Sequence, residues 1–253
     1  MSPSKILVTG MSGLIGGLAG RQLAKTYEVS ALGRTKVEGF PTNLLDIGDG
    51  IDNILPALEG VDTVVHMAAS RGNVSPEIHI KANITGVYNL FEASRLAGVK
   101  RIIAASSGAV VAGFERIEPY KSIIHDPDFE IPSPRPLITT QDPVRPVGFY
   151  TVSKMFTENL GWMYSDQYGM SIICIRIGKV EVNDIPLNTR NAAVWCSHRD
   201  ITQMIDKAVH APKELKYAVV FACSDNPTRW RDIAHAKDVL GFVPEDSALN
   251  HGF

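Results

Sequence analysis

Tyr150 and Lys154 lie four residues apart in the stretch GFYTVSKMF, which covers residues 148–156. If this stretch is helical, the two side chains share one face and are separated by one turn. A phenol beside an ammonium can perform acid–base chemistry, because the positive charge favours the phenolate and lowers the pKa of the phenol from its ordinary value of about 10. The same spacing occurs in surface pairs on amphipathic helices, so the rest of the chain must decide between the two interpretations.

A glycine-rich turn near the start of the chain is the second element that could do chemistry. The β-branched run KILVTG ends at Gly10, and Gly13 and Gly16 follow at the start of a helix-like stretch. In a strand–turn–helix unit, such glycines permit a tight turn, a close backbone approach to a pyrophosphate, and close packing of the helix on the sheet. The positive helix N-terminus favours the same anion. This turn therefore predicts a bound dinucleotide.

The elements that position these residues alternate between strand-like and helix-like patterns. Short apolar runs bounded by glycine or turn residues predict strands, and amphipathic spacing predicts helices between them. The predicted strands are KILVTG, EVSALG, VDTVVHMAA, VKRIIAASS, MSIICIRIG and YAVVFA; the predicted helices begin at residues 13, 78, 149, 199 and 229. Alternation of this kind predicts an α/β fold with a doubly wound parallel sheet of the Rossmann type.

Composition narrows the classes of partner. The 253 residues carry a net charge of -2 and no basic tract, which argues against nucleic acid as a partner. No apolar run is long enough to span a bilayer, and MSPSKILVTG lacks the pattern of a signal peptide. The three cysteines, Cys174, Cys196 and Cys223, fit neither a disulfide framework nor a zinc motif. We expect a cytoplasmic enzyme with a small-molecule substrate, no membrane association and no metal.

One segment interrupts the alternation. Between Phe114 and Pro143 lie nearly thirty residues rich in proline and aspartate. Loops of this length are uncommon in compact domains and are often functional. The segment is either a surface insertion or a lid, and it leads directly into the Tyr150 helix. We predict a dinucleotide-binding domain over residues 1–178 with an insertion at 115–142, and a small substrate-binding region over 179–253 that is not an independent domain.

Six motifs occur in a fixed order along the chain: TGMSGLIG, LLDIGD, DTVVHMAA, ANITGVYNLFEAS, IIAASS and PVRPVGFYTVSK. Together they resemble the extended short-chain dehydrogenase/reductase family, also described as NAD-dependent epimerases and dehydratases. The resemblance implies that Asp46 and Ile47 cradle the adenine and that Asn83 braces the central strands. It also places a catalytic serine at the end of IIAASS. The cofactor contacts that we predict are Gly10, Ser12, Gly13, Leu14, Ile15, Gly16, Arg34, Asp46, Ile47, Met67, Ala68, Ala69, Asn83, Tyr150 and Lys154.

The resemblance also implies roles at the reacting centre. Tyr150 would exchange a proton with the substrate hydroxyl or carbonyl oxygen, and Lys154 would also hold the nicotinamide ribose. The catalytic serine is either Ser106 or Ser107. Counting forward from RIIAASS favours Ser107, whereas counting back from Gly113 places Gly108 at the usual spacing. We predict Tyr150, Lys154 and Ser107 as the catalytic residues.

The C-terminal half resembles a narrower group, the uronate dehydrogenases and related bacterial sugar dehydrogenases. The resemblance rests on FYTVSKMFTENLGWMYSDQYGMSIICIRIG and TRNAAVWCSHRDITQMI. It implies that Arg190 holds a substrate carboxylate. The chain departs from the group at Gly108 and Ala109, where those enzymes carry Asn-His, and at Lys179, where they carry serine. We therefore predict Ser107, Gly108 and Arg190 as substrate contacts, and a smaller or more apolar substrate in place of a uronic acid.

The end of the second predicted strand indicates which dinucleotide is used. NAD enzymes of this fold usually place an acidic residue there for the ribose 2′-hydroxyl. This chain instead has Gly33-Arg34, with Lys36 close behind. A guanidinium is suited to bidentate contact with a 2′-phosphate. We therefore predict a preference for NADP, with NAD as the alternative.

These observations predict an NAD(P)-dependent oxidoreductase that acts on a hydroxyl or carbonyl group of a small, sugar-like substrate. The first alternative is a nucleotide-sugar epimerase or dehydratase that retains its cofactor. The second is a dinucleotide-binding protein without catalysis, a class that typically lacks the tyrosine–lysine pair. By analogy with the family, we expect a homodimer formed through the helices that begin near Ile78 and Phe149.

Overall fold

The computed structural model describes residues 5–126 and 128–253, so residues 1–4 of the predicted first domain and residue 127 of the predicted insertion lie outside the described residues. Within these ranges, seven parallel strands form one sheet in the order β3-β2-β1-β4-β5-β6-β7. The strands are β1 (Lys5–Thr9), β2 (Glu28–Gly33), β3 (Thr42–Leu44), β4 (Thr63–His66), β5 (Arg101–Ser107), β6 (Ser171–Ile177) and β7 (Tyr217–Ala222). The predicted doubly wound fold class is confirmed.

Helices cover both faces of this sheet, which explains why the central strands are apolar along their whole length. Val64 and Val65, which are neighbours on β4, are both 0% exposed although they point to opposite faces. The helices are α1 (Leu14–Leu23), α2 (Ile51–Ile54), α3 (Pro76–His79), α4 (Gly86–Leu96), α5 (Tyr120–His125), α6 (Phe149–Tyr168), α7 (Thr189–Val194), α8 (His198–Val209) and α9 (Ala234–Leu240). The sheet therefore separates two apolar cores, one on each face.

Two predicted helices differ from the structure, and one strand was not predicted. The long helix expected from Ile78 is divided into α3, a π-helical turn at Ile80–Thr85, and α4. The helix expected from residue 229 begins only at Ala234, because Arg231 is held in a parallel bridge with Ile138. The short strand β3 lacks a long apolar run and was not predicted.

The segment 115–142 packs against the C-terminal region. It contains α5, and beyond it the Ile138 amide donates to the Trp230 carbonyl at 2.8 Å. The Arg135 guanidinium donates to the Asn226 and Arg229 carbonyls at 3.3 and 3.2 Å. Ile138 and Trp230 belong to a third apolar cluster beside the sheet. The described part of the insertion is thus anchored, and its predicted role as a lid stays a prediction.

Residues 179–253 complete the main sheet through β7, which pairs with β6 from Ile172 opposite Tyr217 to Ile177 opposite Ala222. The predicted boundary at residue 178 therefore lies between two strands of the same sheet, β6 and β7. The assignment of substrate binding to residues 179–253 stays a prediction.

Cys174, Cys196 and Cys223 are buried free thiols. Across the part of the chain that the structure describes, no helix is long and apolar enough to cross a membrane. In the same residues, no group of three or more histidine, cysteine, aspartate and glutamate side chains is arranged to hold a metal ion.

Candidate active site

The glycine-rich turn joins β1 to α1 at the carboxyl edge of the sheet. Gly10 has a φ of +68°, and a Cβ atom there would lie 2.6 Å from the Ala68 amide nitrogen. The Gly13 amide donates to the Gly10 carbonyl at 3.0 Å and precedes the first residue of α1. A Cβ atom on Gly16 would collide with the Gly10 carbonyl group. Only glycine at positions 10 and 16 permits this compact turn against the N-terminus of α1.

A cavity of about 820 Å³ follows the carboxyl edge from this turn to the Tyr150 helix. Its volume is in the ordinary range for ligand sites, and it meets the N-terminus of a helix, as a pyrophosphate requires. It therefore fits a nicotinamide dinucleotide. The predicted residues that line it are Gly10, Ser12, Gly13, Leu14, Ile15, Gly16, Arg34, Asp46, Ile47, Met67, Ala68, Ala69, Ser107, Tyr150 and Lys154.

At one end of the cavity, Arg34 follows β2 and has a side chain that is 81% exposed. Its Nη1 atom lies 4.0 Å from Oδ2 of Asp46. Asp46 also accepts a hydrogen bond from the Gly48 amide at 2.9 Å, which fixes its carboxylate on a 3₁₀ turn. The Nζ atom of Lys81 lies 3.8 Å from the same carboxylate. This end of the cavity thus combines one anchored carboxylate with two cations.

His66 holds the segment after β4 in place. Its Nδ1 atom is hydrogen-bonded to Oγ1 of Thr9 at 2.7 Å, and the Ala68 amide donates to the same hydroxyl at 3.2 Å. Complete burial, helped by the charge of Lys154, lowers the pKa of His66 to about 3. His66 is therefore neutral near pH 7 and serves to shape the cavity wall.

Asn83, which was predicted as a cofactor contact, does not line the cavity. The implied bracing of the central strands stays a prediction, because its side chain contacts the loop after β4 and α6. Its Oδ1 atom accepts from the Ser70 amide at 2.8 Å, and its Nδ2 atom donates to the Ser70 carbonyl at 3.0 Å. Nδ2 also donates to Oγ of Ser153 at 3.0 Å, and Ser153 donates to the Tyr150 carbonyl at 2.7 Å. Asn83 thereby connects the loop after β4 to the first turn of α6.

Lys154 is an ammonium in the protein interior. It is 1% exposed, and its Nζ atom donates to the Ala105 carbonyl on β5 at 2.8 Å. Burial lowers the pKa of Lys154 to about 8, because the charged form loses its hydration. The positive charge of Arg71 lowers it further. This contact fixes α6 directly across the end of β5.

The pKa of Tyr150 is raised, so the expected lowering by Lys154 is wrong for this structure. Burial raises it, while the charge of Arg71 and a hydrogen bond with Ser107 act in the opposite direction but are smaller. The Nζ atom of Lys154 lies over the Tyr150 ring, 5.9 Å from its centroid. Loss of hydration thus outweighs the attraction of nearby cations.

The two adjacent serines have different partners. Oγ of Ser106 donates to Oε1 of Glu158 at 2.5 Å, inside a buried ion pair between Glu158 and Arg176 with Nη2–Oε2 at 2.9 Å. The Ser107 side chain is near enough to the Tyr150 phenol to lower its pKa, and Oγ of Ser107 accepts from the Ala109 amide at 3.2 Å. Alternation along β5 directs Ser107 toward the phenol and Ser106 into a structural network. The geometry therefore favours Ser107.

Gly108 and Arg190, the other predicted substrate contacts, do not line the cavity. Gly108 lies against the guanidinium of Arg231, where a Cβ atom would overlap Nη1. Arg190 donates from Nε to Oε2 of Glu115 at 2.7 Å and from Nη2 to Oε1 at 3.1 Å. Arg190 and Arg231 are therefore both in contact with other residues of the chain. The position of Arg231 beside Gly108 was not predicted, because no sequence motif connects the two residues.

Two further cations that line the cavity were also missed. Arg71 lies on the loop after β4 and acts on both Tyr150 and Lys154. Lys179, which had been considered only as a departure from related sequences, lies 3.3 Å from Oε1 of Glu181. A loop arginine without a motif gives no signal of its own in a single sequence.

A family model described as "NAD dependent epimerase/dehydratase family" matches residues 6–243. The chain belongs to this family. This match confirms the predicted assignment to the extended short-chain dehydrogenase/reductases. The predicted class of NAD(P)-dependent oxidoreductase is also confirmed.

Similarity to other members of this family extends over nearly the whole chain. A uronate dehydrogenase from Pseudomonas putida is 31% identical over 97% of this chain and 85% of its own length. An L-arabinose 1-dehydrogenase (NAD(P)(+)) from Haloferax volcanii is 29% identical over 97% of this chain and 98% of its own length. A crystal structure of a mutant uronate dehydrogenase from Agrobacterium tumefaciens, complexed with NAD, is 29% identical, with a TM-score of 0.82 over 98% of this chain and 87% of that chain.

The environment of Tyr150 predicts how an oxidation rate depends on pH. A general base must be deprotonated, and a raised phenol pKa leaves little phenolate at neutral pH, so kcat/KM should rise with pH through the alkaline range. Arg71→Gln removes a charge that lowers this pKa and should move the rising limb to higher pH.

The measurement is a pH profile of kcat/KM for the wild type, Arg71→Gln and the charge-preserving control Arg71→Lys. Lys154, with its pKa of about 8, titrates in the same window, so the profiles are compared with one another. If the Gln and wild-type profiles superimpose, Arg71 has no influence on the base.

Proposed function

We propose that this protein is a dehydrogenase or reductase that transfers hydride between NAD(P) and a small, sugar-like substrate. The observation that carries the proposal is the meeting of Tyr150, Lys154 and Ser107 at one end of the cavity whose other parts fit a dinucleotide. The sugar dehydrogenases among the relatives, which match over nearly the whole chain, support the substrate class.

In this proposal, each residue has a distinct task. Ser107 holds the reacting oxygen of the substrate by a hydrogen bond and fixes its distance from the phenol of Tyr150. Tyr150 accepts the hydroxyl proton during oxidation and returns it to the carbonyl oxygen during reduction. Lys154 supplies positive charge beside the phenolate and positions the nicotinamide ribose. The bound dinucleotide supplies the hydride acceptor or donor.

A substrate screen that follows the absorbance of reduced nicotinamide tests the reaction class. Neutral sugars, uronates, hydroxy acids and ketones would be offered with both dinucleotides. Net formation or consumption of reduced nicotinamide with a sugar supports the proposal. A dinucleotide that stays bound through purification, with no net redox change for any substrate, would favour the epimerase or dehydratase alternative.

Substitution of the acid–base residue gives the sharpest test of the mechanism. Tyr150→Phe should lower kcat by about 10²–10⁴-fold, the usual contribution of general acid–base catalysis, and should leave dinucleotide affinity nearly unchanged. Tyr168→Phe is the matched control, because its phenol lies at the other end of α6 and is exposed. Lys154→Ala should weaken both turnover and dinucleotide binding. Near-wild-type kcat in the Tyr150 variant excludes this mechanism.

We propose a preference for NADP over NAD. The exposed Arg34 guanidinium at the end of β2 lines the cavity, and Lys36 is exposed two residues later. Within the described residues, β2 ends without an acidic side chain that would repel a 2′-phosphate. Asp46 also lines the cavity, and its Oδ2 atom lies 4.0 Å from Nη1 of Arg34, which is beyond hydrogen-bond distance.

Titration of both dinucleotides by fluorescence or calorimetry checks this preference. Arg34→Ala should weaken NADP binding by roughly 10–100-fold, as expected for loss of a charge-assisted hydrogen bond, with a much smaller effect on NAD. Lys36→Ala, which removes a nearby charge outside the cavity lining, should have the smaller effect. A wild type that binds NAD at least as tightly, or an unchanged ratio in Arg34→Ala, contradicts the preference.

We also propose a homodimer formed through α6 and the interrupted helix that runs from α3 into α4. Apolar side chains are exposed along these helices, among them Ile78 at 51%, Phe149 at 43% and Val152 at 47%. Adjacent exposed apolar groups of this kind mark association surfaces. Light scattering should report a dimer for the wild type and a monomer for Val152→Glu, and a monomeric wild type would contradict the proposal. The expected cytoplasmic location rests on the sequence alone.

A further inference from the structure

Arg71 is a cation that lines the candidate cavity without a partner of its own. Its side chain is exposed, and among the described residues that side chain makes no ion pair and no hydrogen bond. The same cavity is lined by Ser107, Tyr150 and Lys154, the candidate catalytic residues. An arginine on an open surface is satisfied by water, so what sets Arg71 apart is its place in this cavity.

The loop after β4, which carries this arginine, is fixed at both ends against the first turn of α6. At its start, the amide and the carbonyl of Ser70 are hydrogen-bonded to the Asn83 side chain at 2.8 and 3.0 Å. Asn83 also donates to Ser153 at 3.0 Å, and Ser153 donates to the Tyr150 carbonyl at 2.7 Å. At its end, the ring of His79 lies 6.2 Å from the Tyr150 ring, measured between centroids. The loop therefore passes beside Tyr150.

The other charged residues of the cavity lining do not balance the charge of Arg71. Among the described residues, Asp46 and Glu181 are the acidic residues that line the cavity. Asp46 lies 4.0 Å from Arg34, and Glu181 lies 3.3 Å from Lys179. Each acidic side chain thus has a cation of its own, and the end of the cavity beside α6 keeps an excess of positive charge.

The charge of Arg71 acts on both groups that face the reacting oxygen. Burial raises the pKa of Tyr150, and the charge of Arg71 opposes this effect. Burial lowers the pKa of Lys154, and the charge of Arg71 lowers it further. A Coulomb interaction weakens with distance and is screened by water, so the guanidinium lies near the phenol and the ammonium. The electrostatics therefore agree with the hydrogen bonds that fix the loop.

Two anions are available to Arg71 in this cavity, the pyrophosphate of the dinucleotide and a charged group of the substrate. The glycine turn and the N-terminus of α1, which follows Gly13, supply the backbone N–H groups for the pyrophosphate. Arg71 instead lies beside Tyr150, where the substrate reacts. A substrate carboxylate there would repel the phenolate of Tyr150, and the guanidinium would offset this repulsion while it binds both carboxylate oxygens.

We propose that Arg71 binds a carboxylate next to the reacting carbon, so that the substrate is a polyhydroxylated 2-hydroxy acid or its 2-oxo form. This inference rests on the proposed dehydrogenase function and specifies its substrate class. In the oxidation, Tyr150 accepts the proton of the 2-hydroxyl group, the hydride of the same carbon passes to the oxidised dinucleotide, and a 2-oxo acid is released. Arg71 is the specificity-determining residue, because it binds the group that a neutral sugar lacks.

The experiment compares sugar acids with their uncharged amides: gluconate with gluconamide and galactonate with galactonamide. Both members of a pair have the same reacting hydroxyl, so the influence of Arg71 on the base cancels in their ratio. The wild type should have the higher kcat/KM for the acid. Arg71→Gln should lower the acid-to-amide ratio of kcat/KM by about tenfold or more, as expected for loss of a charge-assisted hydrogen bond, mainly through KM of the acid.

Two control variants accompany this comparison. Arg71→Lys keeps the charge but loses the planar fork, and it should keep part of the preference for the acid. Arg116→Gln makes the same change as Arg71→Gln at an exposed position outside the cavity lining, and it should leave the ratio unchanged.

A binding measurement separates recognition from turnover and the substrate from the dinucleotide. Calorimetry of gluconate with the complex of enzyme and reduced dinucleotide, which cannot accept hydride, should show weaker binding in Arg71→Gln than in the wild type. Titration of the dinucleotide alone should show nearly equal affinity in the two proteins.

Three results would overturn the inference. They are a wild type that prefers the amides, neutral sugars, uronates or sugar phosphates, an unchanged acid-to-amide ratio in Arg71→Gln, and a loss of dinucleotide affinity in that variant as large as the loss for gluconate. The last of these assigns Arg71 to the pyrophosphate. All three leave the proposed dehydrogenase standing. A wild type that binds dinucleotide but shows no net redox change with any sugar, uronate, hydroxy acid or ketone overturns the proposed function and this inference together.

Discussion

The hydrogen bond from the buried Lys154 ammonium to the Ala105 carbonyl fixes the geometry on which the candidate site depends. An ammonium in an apolar interior is costly, which the lowered pKa of about 8 records, and it is tolerated only where its donors find partners. This contact, at 2.8 Å, ties α6 to the end of β5. Tyr150, one helical turn before Lys154, is thereby brought to the phenol–serine contact with Ser107. The candidate catalytic arrangement therefore depends on one buried charge.

Asn83 and the buried pair of Glu158 and Arg176 help to hold α6 in the position where Lys154 contacts Ala105. Asn83 joins the loop after β4 to the first turn of α6 through Ser70 and Ser153. On the other side, Glu158 binds Arg176 of β6 and accepts from Ser106 of β5. Removing one member of a buried pair of this kind costs about 3–5 kcal/mol, because the other charge is left without a partner. Helix α6 is therefore held to the loop after β4 and to two strands, β5 and β6. Several of its polar side chains thus serve the packing of the helix.

The sequence predicted well whatever depends on periodicity and motif, and poorly whatever depends on contacts between distant segments. The six predicted strands and the glycine turn follow from local patterns, and the predicted cofactor residues apart from Asn83 line one cavity. The helix expected from residue 229 is shorter because Arg231 pairs with Ile138, ninety-three residues earlier in the chain. The expected lowering of the Tyr150 pKa is wrong because burial, which a motif does not contain, exceeds the effect of nearby charge. Arg71 and Glu115 carry no motif, so their positions appear only in the fold.

The same limit explains why an arginine at a familiar position does not by itself define a substrate. A guanidinium binds a carboxylate through two parallel hydrogen bonds. Whether it can bind a ligand carboxylate therefore depends on which of its N–H groups are already hydrogen-bonded within the protein. In this chain the insertion at 115–142 begins with Glu115, which supplies that carboxylate from within. The insertion is anchored to the C-terminal region through Ile138 and Arg135, so the Glu115 carboxylate belongs to an anchored segment. The guanidinium of Arg190 is accordingly bound within the chain at two of its nitrogens, and its position in the sequence does not by itself define a substrate.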